Sequence, residues 1–129
     1  MLGQSALYLT AIILGAMIFF SFVVAPITFK LLDEDNSRKF IRGIFPFYYL
    51  LNLTLSFVAS ILFFLNQHLS TDFLLMVSVS VLFAISNFIL MPMINKFRDN
   101  NEDKKFKTSH FISVIINFIQ LIFLVIILL

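Results

Sequence analysis

The chain contains no cysteine. That excludes disulfides, thiol catalysis, iron–sulfur clusters and thiolate zinc sites, and it identifies no compartment. Tryptophan is also missing, so an interfacial aromatic belt has only Tyr8, Tyr48 and Tyr49 to draw on. Three glycines leave no phosphate-cradling loop, and no Ser–His–acid set is legible. Charge is scarce: 12% of the 129 residues are charged and 60% are hydrophobic, against ~25% and ~45–50% in soluble domains. With a mean hydropathy of +1.02, both deviations name lipid as the solvent. The net charge of +2 is spread over loops of both signs, so no basic tract for nucleic acid exists and none is expected as a partner.

What is present is four uncharged stretches separated by charge: the N-terminus to Phe29, Gly43 to Thr71, Phe73 to Asn95, and Thr108 to Leu129. Each supplies ~20 residues, enough to cross ~30 Å of hydrocarbon as a helix. They are apolar on all sides, and in lipid the backbone must pair internally, so helices are the only reading. The sequence therefore predicts an all-α membrane protein. It is a four-transmembrane-helix bundle in one integral membrane domain, 1–129, with helices at about 5–31, 46–66, 72–95 and 107–129. A short amphipathic helix is expected at about 37–45, capped by Asn36 or Ser37 and carrying Phe40, Ile41, Ile44 and Phe45 on one side. A cleaved leader is not expected, because no Lys or Arg precedes the first apolar run.

All nine Lys and Arg fall in or beside loop one (Lys30, Arg38, Lys39, Arg42) or loop three (Lys96, Arg98, Lys104, Lys105, Lys107). The positive-inside rule makes both loops cytoplasmic and both termini external. An offset of 66 residues aligns the halves: Phe22 with Phe88, Pro26 with Pro92, Lys30 with Lys96, Asp33 with Asp99, and Phe40 with Phe106. One reading is shared membrane-boundary grammar. The other is two similar helical hairpins related by an axis along the membrane normal. Either way, two similar hairpins pack together.

The candidate site residues lie toward the cytoplasmic ends. Pro26 and Pro92 each deny a backbone bond to the carbonyl four residues earlier, while Pro46 sits at the start of a span, where a missing N–H is cheap. Freed carbonyls near Lys30, Arg42, Asn95, Arg98 and His110 are the makings of a polar pocket; the simpler reading is that the prolines only bend or end helices. His110, Ser113, Asn117 and Gln120 are spaced to share one helix face. Such a stripe acts first as interhelical glue, with Asn52 and Asn87 as partners, and otherwise as a ligand surface. His110 and His68 lie at opposite ends, ~30 Å apart, and cannot ligate one haem within a chain. No metal site is expected. No Asp or Glu lies inside a span, which argues against proton-coupled transport through a mid-membrane carboxylate.

These residues resemble a known family. Phe19 to Pro26 followed by Phe29 looks like its first-helix signature, and Phe45-Pro46 with Tyr48 like the start of its second helix. Met91-Pro92, Asn95 and Arg98 look like its exit from helix three. Phe106, His110, Ser113-Val114, Asn117 and Gln120-Leu121 look like its fourth-helix motif, the most specific part. Together they resemble the transmembrane protein 205-like family, also called domain of unknown function 4149. A Ser-Arg-Lys run at Ser37 to Lys39, and few small residues in helix one, depart from the pattern. The resemblance implies a four-helix membrane fold and names no reaction. A more distant likeness is to four-helix copper-resistance and haem-linked porphyrinogen oxidase proteins, whose histidine-based sites this chain largely lacks.

The leading expectation is a non-enzymatic protein of the bacterial inner (plasma) membrane. It would bind or move a small solute through a pocket of Pro26, Arg42, Pro46, Tyr48, Pro92, Asn95, Arg98, His110 and Asn117. No catalytic residue and no cofactor is expected. The alternatives are a haem-linked membrane oxidoreductase and a helix-packing subunit of a membrane complex. The expected partners are the lipid bilayer and either a second copy of the chain or a membrane-complex neighbour.

Overall fold

A computed structural model describes all of residues 1–129. It is helical throughout, with four helices long and apolar enough to cross a membrane: α1 (Leu2–Leu31), α2 (Glu34–Asn66), α3 (Thr71–Asp99) and α4 (Asp103–Leu128). The protein is an integral membrane protein. Lipid as solvent inverts its surface. Of 25 buried residues, 11 are polar, while the outside is a coat of Phe, Leu, Ile and Val such as Phe22, Phe57, Phe88 and Phe118. Without a hydrophobic force between helices, small and hydroxyl-bearing residues let the backbones approach and pack.

The helices form a closed ring in which α1 packs on α2, α2 on α3, α3 on α4, and α4 back on α1. Diagonal pairs stay apart, with no Cα of α1 within 8 Å of α3 and none of α2 within 8 Å of α4. The chain alternates direction, so loops one and three share one end, called here the charged end. Both termini and loop two share the other. The apolar core fills the termini half, where Ile13, Met17, Ala59, Phe63, Phe83 and Leu124 interlock. Gly3 belongs to this half: a Cβ there would stand 2.9 Å from the Asn66 side-chain nitrogen, so its bareness lets α1 start close against the end of α2.

The helices run further than the uncharged stretches. α1 begins at Leu2, α3 continues to Asp99 and α4 begins at Asp103; at the charged end Lys96, Arg98, Lys104 and Lys105 are good helix formers once the chain has reached water. The expected amphipathic helix at 37–45 is not a separate element. It is continuous with the second span as one 33-residue helix containing Pro46. Asp33, rather than Asn36 or Ser37, is its cap, accepting from the Asn36 backbone N–H at 2.8 Å, and Glu34 pairs with Arg38 one turn on at 3.2 Å. The carbonyl that Pro46 leaves unpaired is that of Arg42, near enough to the charged end for the helix to run through.

Pro26 and Pro92 behave differently. Each follows a wide π turn, Phe20–Val24 in α1 and Ser86–Leu90 in α3. There the residue before proline donates five residues back: Ala25 to the Phe20 carbonyl and Met91 to that of Ser86. The wide turn moves the carbonyl four residues before each proline away from its ring. The two π turns begin 66 residues apart, the same offset that aligns the halves in sequence.

Candidate functional site: a polar layer beneath a bridged cleft

The π turns divide the bundle. On the termini side lies the packed core. On the charged side, helix segments Ala25–Leu31 and Met91–Asp99 bury little: Thr28 is the one buried residue of the first, and the second has none. There the hairpins α1–α2 and α3–α4 part. No Cα of Met91–Asp99 lies within 8 Å of α1 or α2, and none of Ala25–Leu31 within 8 Å of α3 or α4. Between them is a cavity of about 270 Å³ lined by Glu34, Arg38, Arg98, Asp99, Asn101 and Asp103.

Two arginines bridge the gap. Arg42 of α2 donates to both Asp99 oxygens, at 2.6 and 3.3 Å, and to the Asn95 carbonyl at 3.3 Å. The last bond adds a second donor to a carbonyl in the final turns of α3. Arg98 of α3 donates to Glu34 of α2 at 3.2 Å, and its guanidinium covers the Phe106 ring at 4.9 Å. Asp99, beyond the apolar stretch that ends at Asn95, is held below its ordinary carboxylate range, chiefly by hydrogen bonding from Arg42 and further by the charges of Arg42 and Arg38.

Below the cleft lies a layer of rings and polar groups. Phe20, from the α1 π turn, stacks on Tyr48 with ring centres 4.2 Å apart. Phe45 stacks on Tyr49 at 5.3 Å, and Tyr49 reaches Phe83 of α3 at 6.5 Å. Asn117 of α4 donates to the hydroxyl of Ser21, in the α1 π turn, at 3.2 Å. Asn52 follows Tyr48 by one turn on the same face and is fully buried. Counting 1.5 Å per residue along α2, Tyr48 lies ~9 Å and Asn52 ~15 Å below Arg42.

Four buried hydroxyls, those of Thr10, Thr28, Ser56 and Ser60, are satisfied within their own helix, as with Thr10 to the Ala6 carbonyl at 2.8 Å and Ser60 to that of Ser56 at 2.8 Å. Two atoms are not. The Tyr48 hydroxyl has no partner at hydrogen-bonding geometry, and Ser21 is the one side chain placed near enough to pair with it after a small shift. Asn52 uses its amide on the Tyr48 carbonyl at 3.0 Å and leaves its side-chain oxygen without a donor. An unpaired buried polar atom costs ~1–3 kcal/mol, and hydrocarbon offers no water to relieve it.

The sequence-predicted site residues separate into three groups. Arg42, Asn95 and Arg98 meet at the cleft. Tyr48 and Asn117 sit in the layer below, with half-buried Pro46 two residues before Tyr48. Pro26, Pro92 and His110 are exposed on the outer surface, His110 against Phe106 with ring centres 5.9 Å apart. The fourth-helix stripe turns inward through Ser109 and Gln120 rather than His110. Gln120 bonds the Val79 carbonyl at 3.1 Å and Asn117 bonds Ser21, so neither uses Asn52 or Asn87. Sequence reasoning missed Glu34 and Asp99 as bridge partners, and Ser21 and Tyr49 in the layer. The 66-residue offset pointed to Asp99; nothing local singled out Ser21.

The family model described as "Domain of unknown function (DUF4149)" matches residues 8–103. The match ends at the first residue of α4, so the fourth-helix motif lies outside it. An "Uncharacterized protein" of Aquifex aeolicus (strain VF5) is 31% identical over 113 residues, which is 87% of this chain and 83% of that protein. No solved structure matches. With the family model covering most of its length, the chain belongs to the DUF4149 family.

Proposed function

We propose that this membrane protein binds a small, neutral, hydrogen-bonding solute, and gives it passage to one side of the membrane through the cleft at the charged end. The observation that carries the reading is the pair of unpartnered atoms one turn apart on α2, the Tyr48 hydroxyl and the Asn52 side-chain oxygen. Together they offer a donor-acceptor and an acceptor. No ionised side chain lies at this depth, so an uncharged solute suits them better than an ion. Mass spectrometry of small molecules carried through purification tests this. A polar species should accompany the wild type and be lost from Tyr48→Phe. An identical complement in both proteins would refute the reading.

The charged end is read as cytoplasmic, from the clustering of all nine Lys and Arg there. A periplasmic reporter fused after Leu129 is expected to be active, and activity only of a cytoplasmic reporter would reverse the orientation. The halves are read as a duplicated hairpin. What supports this is the common 66-residue spacing of the prolines and of the π turns that precede them.

A further inference from the structure

We infer that the charged end is a latched gate: Arg42–Asp99 and Arg98–Glu34 hold the two hairpins together across the cleft, and the segments Ala25–Leu31 and Met91–Asp99 swing outward about the π turns of α1 and α3 to expose the Tyr48–Asn52 layer. The inference rests on the solute-binding reading for its purpose, but not for its geometry.

Three independent features converge. The first is what holds the hairpins at this end. Their backbones do not approach within 8 Å beyond the π turns, and the polar ties across the gap are the two arginine pairs with the Arg42 bond to the Asn95 carbonyl. These pairs are partly exposed, with side-chain exposures of 32% for Arg42 and 37% for Arg98. Exposed ion pairs hold weakly and reversibly, as a latch must. The second is the lack of a core to break. Met91–Asp99 buries no residue and Ala25–Leu31 buries only Thr28, so moving them disrupts little packing. The third is the hinge. Each mobile segment joins its helix through a π turn followed by proline, where the backbone ladder is already interrupted. Connectivity fits as well: loop two ties the hairpins together at the opposite end, so the charged end is the one free to open.

The chain has no cysteine, so spin labels can be placed without background. Labels at Lys39→Cys and Lys96→Cys report the charged end, and labels at Tyr8→Cys and Leu74→Cys report the opposite end. Distances are measured in lipid, without added solute. The Arg42→Ala/Arg98→Ala variant is expected to shift the charged-end distribution to longer and broader distances while the opposite-end pair holds. The exchange Arg42→Asp with Asp99→Arg, in the otherwise wild-type chain, should keep the short distance. Adding Pro92→Ala to the Arg42→Ala/Arg98→Ala variant restores an N–H to the ladder and should reduce the shift. An unchanged charged-end distance overturns the latch, and an equal shift at both ends shows general loosening and also overturns it. A full shift persisting with Pro92→Ala overturns the hinge. If the distances move as stated while Tyr48→Phe retains its solute, the latch stands and the binding reading fails.

Discussion

Asn52→Leu is expected to make the solute-free protein more stable and to reduce solute binding at least tenfold. The two effects have one cause. In the wild type the Asn52 side-chain oxygen is buried without a donor, a cost of ~1–3 kcal/mol. Leucine is apolar, of similar length, and removes that cost. It also removes the Asn52 bond to the Tyr48 carbonyl, worth only ~0.6 kcal/mol in a membrane bundle because that carbonyl keeps its helical partner. The balance is a gain of about 1 kcal/mol, readable as a raised unfolding midpoint in detergent or bicelles. Binding moves the other way, because a solute that donated to Asn52 loses that bond, and ~1.4 kcal/mol corresponds to tenfold. A destabilised variant that binds normally would show that Asn52 is structural and the layer is not the site.

Phe83→Ala is expected to lower stability by about 2–3 kcal/mol. Phe83 is fully buried in α3, one turn before the π turn, where the apolar core meets the aromatic layer through Tyr49. In a water-soluble core the same change costs ~3–5 kcal/mol, part of it transfer from water. Here the unfolded helices remain in lipid, so the transfer part falls away and the lost packing and cavity remain. Reversible unfolding in mixed micelles measures this. A loss below ~0.5 kcal/mol, the range of surface changes, would mean that Phe83 does not face a packed interior.

The contrast between these positions shows what was readable from sequence. Composition and the placement of charge gave the four helices but not their ends, because the cost of charge in lipid fixes where the spans lie and not how far each helix runs on into water. The merging of the loop helix with the second span was not legible. Pro46 reads locally as the first residue of the span, and only its depth near the charged end lets the helix run through it. The rotation of α4 was half legible. The three-four-three spacing of His110, Ser113, Asn117 and Gln120 described a face, but spacing alone cannot say how that face turns. In the bundle its centre moves to Ser109 and Gln120 and leaves His110 outside.

The candidate site divides along the same line. Arg42 and Arg98 were visible as cations at a boundary, but their partners depend on how the two hairpin ends face one another, 57 and 64 residues away in sequence. Asn52 was visible as a polar residue in a span, with interhelical glue as its expected role. Its importance here comes from the bond it lacks, a property of the packed bundle that no local pattern encodes.

The most direct test is a structure of the protein in a lipid bilayer at a resolution that shows ordered small molecules. Non-protein density is expected within hydrogen-bonding distance of both the Tyr48 hydroxyl and the Asn52 side-chain oxygen. Those two atoms satisfied by one another or by neighbouring side chains, with no density between them, would contradict the binding reading.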